Sequence, residues 1–128
     1  MNNTKWREVF KLLARYNIYF KIRWINSPWI DPSNGSLSEV SYNSYPLMLN
    51  YIAEDHIQDG GFNGGPFYYE EIEFLQVQKI LRQDEYYFTK YQDIANDFFT
   101  LVSELKKIGQ LPLEINNAYL VINAYKSL

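Results

Sequence analysis

Apolar residues recur three and four positions apart at the start of the chain: Trp6, Val9, Phe10, Leu13 and Tyr16. That spacing puts them on one face of a helix over residues 5–16, with Asn3 or Thr4 as its N-cap. Lys11 and Arg15 lie four apart on the other face, towards the end where positive charge suits the helix dipole. Asn17 can take the left-handed conformation that ends a helix. The apolar period then drops to two. Ile18, Phe20, Ile22 and Trp24 alternate with Tyr19, Lys21, Arg23 and Ile25, which predicts a strand with one buried face over residues 18–25.

A stretch dense in turn formers follows, NSPWIDPSNGS over residues 26–36, with Trp29 inside it. Residues 37–52 alternate imperfectly and predict two strands broken near Tyr45 and Pro46. The rival reading is a short helix over 46–53 with Pro46 in its first turn. Residues 53–66, AEDHIQDGGFNGGP, read as a loop whose glycines at 60, 61, 64 and 65 allow backbone conformations that side-chained residues adopt only at a cost.

Residues 67–77 read as a strand that changes phase. Ile72 and Phe74 fall on one side, and Tyr69, Leu75 and Val77 on the other, so a bulge or two partly covered faces is expected. A helix starting near Glu70 also fits Phe74, Val77 and Leu81; aromatic and β-branched content favours the strand. The stripe Phe88, Tyr91, Ile94, Ala95, Phe98, Leu101, Val102, Leu105 and Ile108 predicts a long helix from Asp84 or Tyr87 to Ile108, capped by Gly109. The tail reads as a hairpin: an arm at 113–115, a turn at Asn116 and Asn117, and a return strand over 118–125.

The fold class expected is therefore α+β in a single domain over residues 1–128. It has an N-terminal helix, an antiparallel sheet of about four to five strands, a long helix packed across it and a C-terminal strand or hairpin. With 128 residues the chain can bury a full core without a staple. The absence of cysteine excludes disulfides, thiolate zinc sites and cysteine nucleophiles. No stretch approaches the ~18 apolar residues of a membrane span, and the N-terminus lacks a signal-peptide core, so a cytoplasmic protein without a membrane partner is expected.

Aromatics make up 18% of the chain, which suits both a ring-filled core and semi-exposed tyrosines at its rim. The net charge of −3 is unevenly spread. Lys5, Arg7, Lys11, Arg15, Lys21 and Arg23 crowd the start, whereas Glu54, Asp55, Asp59, Glu70, Glu71, Glu73, Asp84 and Glu85 crowd the middle. If the strand at 67–77 pairs antiparallel with that at 18–25, Glu71 and Glu73 can face Lys21 and Arg23 and neutralise them.

Candidate chemistry is sparse. The GGFNGG loop lacks the following helix and Lys-Ser/Thr that a phosphate cradle needs, and is better read as a long turn or lip. His56, the single histidine, sits with Glu54, Asp55 and Asp59, a set that could hold a hard cation or serve as acid and base. No ligand spacing makes these groups converge, so neither a cofactor nor a metal is expected. Helix 1 and strand 1 mix basic residues with Trp6, Tyr16, Tyr19 and Trp24, but the sequence pI of about 5.1 places nucleic acid below protein as a partner.

The order of elements, with KWREVF in the first helix, KIRW in the first strand and YEEIEFL after the glycine loop, resembles small bacterial single-domain proteins of uncharacterised function. Some of these are similar in size and acidity to immunity proteins, which neutralise a toxin by direct binding. That resemblance implies a protein partner and no catalysis. The expected role is thus a non-enzymatic protein-interaction module using acidic and aromatic surface, with binding residues Trp29, His56, Phe62, Phe67 and Tyr68. The alternative is a small metal-dependent or ligand-binding enzyme using His56 and nearby carboxylates. A homo-oligomer is compatible with either.

Overall fold

The computed structural model describes residues 1–24, 40–42, 47–58, 67–81 and 94–124. Helix α1, Asn3–Arg15, buries Trp6, Val9, Phe10 and Leu13 to 1% exposure or less, as their spacing requires. Its N-cap is Asn2, one or two positions before the expected caps; the side-chain oxygen accepts the Lys5 amide at 2.8 Å. At the other end Asn17 has φ 54°, and the Ile18 amide reaches back to the Leu13 carbonyl at 2.9 Å.

Strands β1 (Lys21–Trp24), β2 (Val40–Tyr42), β5 (Ile72–Gln78), β8 (Leu113–Ile115) and β9 (Tyr119–Asn123) form one antiparallel sheet in the order β2-β1-β5-β9-β8. Two small pairs lie beside it: β3 (His56–Ile57) with β4 (Phe67–Tyr68), and β6 (Ile80–Leu81) with β7 (Ile94–Ala95). The register lines up Ile22, Leu75, Ile122 and Leu113 across four strands. This apolar row, with Val77 and Leu120, carries the helices.

The phase change expected near residue 72 is a register shift. Arg23 faces Phe74 while Trp24 faces Ile72, so Glu73 is the extra residue. Ile72 and Leu75, three apart, can therefore both point into the core. The Glu73 carbonyl is taken by the Ala124 amide at 2.9 Å, and its carboxylate pairs with Arg23 at 2.9 Å. Residues 72–78 are strand, preceded by a 3₁₀ turn over Tyr69–Glu71.

Helix α2, Phe98–Ile108, packs across the sheet through Leu101 and Leu105. It begins well after the expected 84–87 and is shorter than α1. Asp97 caps it, accepting the Thr100 amide at 3.2 Å, and Ile94 and Ala95 are paired with β6 instead of continuing the helical stripe. Of the two strands expected over 37–52, the first is β2; the second is replaced by a 3₁₀ turn, Leu49–Tyr51, closer to the rival reading. The hairpin is as expected: the Asn116 side chain accepts the amides of Ala118 and Tyr119 at 2.8 and 2.9 Å.

Rings fill the space between α1 and the sheet. Phe10 lies 6.0 Å from Trp6, 5.7 Å from Phe20 and 5.5 Å from Tyr69, the last stacked at 17°. The Tyr69 hydroxyl donates to the Ala53 carbonyl at 2.7 Å.

Asn96 is a buried polar side chain with its bonds made. Its oxygen accepts the Tyr19 amide at 3.0 Å, and its nitrogen donates to the carbonyls of Tyr19 at 3.1 Å and Gln78 at 2.7 Å. Extending the β1–β5 register places Tyr19 opposite Gln78, so this amide bridges the strands just where their own ladder ends.

Two outcomes are expected. Asn96→Ala removes these three hydrogen bonds and should lower unfolding free energy by about 3 kcal/mol, read from urea midpoints; a loss under about 1 kcal/mol would show that the bridge carries little. The second concerns alkaline pH. Burial raises the pKa of Tyr69, with Arg7 opposing and Asp55 adding, and burial also raises that of Tyr19. The native state then keeps protons that the unfolded chain loses, so stability should hold below pH about 10 and fall above it. Tyr69→Phe should make that fall shallower.

Candidate functional site

The short pair β3–β4 gathers the candidate residues at one corner. Ile57 is fully buried and anchors it, with a bridge to Ile52. The Ala53 amide bonds the His56 carbonyl at 2.8 Å and the Gln58 amide bonds the Tyr51 carbonyl at 2.8 Å, closing a tight turn with Glu54 and Asp55 at its tip. Tyr69 clamps that turn from the core: its amide bonds the Asp55 carbonyl at 2.9 Å, and its hydroxyl holds Ala53. The next residues, Glu70 and Glu71, are thereby delivered beside the tip.

Glu54, Asp55, Glu70 and Glu71 are all exposed, and none has a Lys or Arg partner among the described residues. Of the expected pairing of Glu71 and Glu73 with Lys21 and Arg23, the described residues show Glu73 with Arg23. Lys21 stands opposite Gln76, and Glu71 precedes the strand in the 3₁₀ turn, off the ladder. Exposed at 43% and 47%, the Arg23–Glu73 pair contributes roughly 0.2–1 kcal/mol.

His56 sits on a strand rather than a loop, directly across from Tyr68. Its Nδ1 is 2.7 Å from an Asp55 carboxylate oxygen, and its ring centroid is 5.4 Å from that of Tyr68, inclined at 48°. Tyr68 is 38% exposed. Phe67 belongs to the same strand, paired with Ile57. Of the expected binding residues the fold thus brings His56, Phe67 and Tyr68 together, whereas Trp29 and Phe62 lie outside the described residues, as does the glycine loop. Chemically, Asp55 orients the imidazole, but no metal-ligating group of three forms among the described residues.

Helix α1 offers no stacking platform at Trp6, whose ring is buried at 1% exposure. Among the described residues no helix is long and apolar enough to cross a membrane.

A second surface lies on α2, and sequence reading missed it. Lys79, Phe98, Phe99, Val102, Lys106 and Ile115 line an open groove of about 500 Å³ between the helix and the hairpin. Phe99 is 86% exposed. The signal was present in the paired Phe98 and Phe99, since a single core-facing stripe uses only one of two adjacent positions.

No protein-family model, curated protein or solved structure matches this chain.

Because Tyr68 and Asp55 sit at the surface, Tyr68→Ala and Asp55→Asn should each change unfolding free energy by less than about 1 kcal/mol. A larger loss in thermal or urea unfolding would mark the corner as structural.

Proposed function

We infer that the protein is a non-enzymatic interaction module that binds a basic protein partner through the β3–β4 corner. The observation that carries this reading is the gathering of the exposed Glu54, Asp55, Glu70 and Glu71 around Tyr68 and His56, none of them in a salt bridge with a Lys or Arg among the described residues. An exposed acidic patch steers a basic partner and selects against acidic ones. Tyr68 supplies a semi-exposed ring of the kind that anchors interfaces. The clamp from Tyr69 fixes the acids before binding, which limits the ordering entropy that association costs.

The immunity-type role is the finer form of this proposal: an acidic face that covers the basic working surface of a toxin. The resemblance of the KWREVF, KIRW and YEEIEFL segments to small bacterial proteins supports it. The cytoplasm is the compartment that this role implies.

The test compares the wild-type chain with a Tyr68→Ala, Glu70→Lys, Glu71→Lys variant, each immobilised and exposed to extract of the source organism. The wild type should retain a basic protein that salt elutes and that the variant loses, while both forms melt at the same temperature. Equal capture by the two, or no capture by the wild type, would end the proposal. In the finer form, the retained protein arrests growth when expressed alone and not when co-expressed with the wild type.

A further inference from the structure

The groove on α2 has a charge pattern opposite to that of the acidic corner. It is lined by Phe98, Phe99, Val102, Ser103 and Ile115 together with two lysines, Lys79 and Lys106. Lys79 lies over the Phe98 ring, 5.7 Å from its centroid. Lys106 is eight positions further along the helix than Phe98, about 12 Å at 1.5 Å per residue. Neither lysine has a carboxylate partner among the described residues, although neighbouring Lys107 is tied to Glu104 at 2.9 Å. The groove thus combines an apolar lining with two cations.

We propose that this groove docks an acidic amphipathic helix of a protein partner, its apolar side chains against Phe99 and Val102 and a carboxylate at each of Lys79 and Lys106. The groove follows α2, so a second helix can lie along it and present two carboxylates two turns apart, about 11 Å, close to the rise from Phe98, which lies under Lys79, to Lys106. The groove is open along one side and leaves Phe99 86% exposed. A small ligand would leave that ring in water, whereas a helix from a larger partner covers it.

A second copy of this chain is a poorer occupant. Two α2 faces packed about a two-fold axis would set lysines against lysines. Seating the acidic corner of one copy in the groove of the next makes a head-to-tail contact that does not close.

This proposal goes beyond the acidic corner and can fail separately from it. The probe is a capped synthetic peptide of about 15 residues, Ala-rich, with two glutamates two turns apart and leucines on the same face between them. A matched peptide carries lysines in place of the glutamates. Binding is read by fluorescence anisotropy at low salt.

The wild type should bind the glutamate peptide and not the lysine peptide. The Lys79→Glu, Lys106→Glu variant should reverse that preference. Phe99→Ser, at a site too exposed to disturb the fold, should weaken binding by about tenfold or more. Tyr68→Ala should leave it unchanged.

Binding of both peptides alike, or of neither, overturns the proposal, as does indifference to Phe99→Ser. Saturable binding of decanoate without binding of the glutamate peptide would assign the groove to a small carboxylate instead. Concentration-dependent dimerisation that Phe99→Ser abolishes would assign it to a second copy.

Discussion

The side-chain amide of Asn96 replaces a stretch of sheet. Beyond Lys21 and Gln76 the ladder between β1 and β5 stops, and the Asn96 amide occupies the gap with one acceptor and two donors directed at Tyr19 and Gln78. Its backbone is engaged as well: its amide bonds the Lys79 carbonyl at 3.0 Å, and its carbonyl accepts the Phe98 amide at 2.8 Å. One buried residue therefore fixes the approach of α1 to β1, the end of β5 and the start of α2. A fully bonded amide here is compatible with burial; a partly bonded one would not be. The groove inherits its geometry from this point, since Lys79 and Phe98 are the two residues that the Asn96 backbone holds.

The second constraint is the register shift at Glu73. Without the extra residue, strict alternation would place Ile72 and Leu75 on opposite faces of β5. The shift lets both enter the ring-lined core, and it puts the Glu73 carboxylate within reach of Arg23. The same shift begins immediately after the 3₁₀ turn that carries Glu70 and Glu71. These two carboxylates thus sit ahead of the β5 ladder, and the acidic corner is a by-product of how β5 enters the sheet. Among the described residues, Arg23 with Glu73 is the salt bridge that joins the basic start of the chain to the acidic middle.

Local patterns made much of the fold legible in advance. Trp6, Val9, Phe10 and Leu13 could only be one helix face, and Asn17 marked its end. The Asn116–Asn117 step located the last hairpin. The phase change across Ile72 and Leu75 announced the shift, although which residue was extra depended on pairing with Arg23 and Trp24. The start of α2 was misread because Ile94 and Ala95 keep helical spacing with Phe98, and periodicity cannot tell an extended pair from another helical turn. Asn96 and Asp97 were the local clue, for one is a poor helix former and the other a good cap. His56 read as a loop residue because a two-residue strand has no periodicity to detect. The acidic corner was partly visible as a cluster in sequence. The groove was not, since Lys79, Phe99 and Ile115 meet only through tertiary packing.

The account rests on Asn96 acting as a structural strand partner that is broken only when the whole domain opens. Amide hydrogen exchange on the intact protein addresses this at a single site, the Tyr19 amide, which lies before β1 and is bonded to the Asn96 side-chain oxygen. It should exchange as slowly as the amides of the central strand β5, such as Leu75. Exchange of Tyr19 as fast as that of the exposed Glu70 and Glu71 amides would contradict the account.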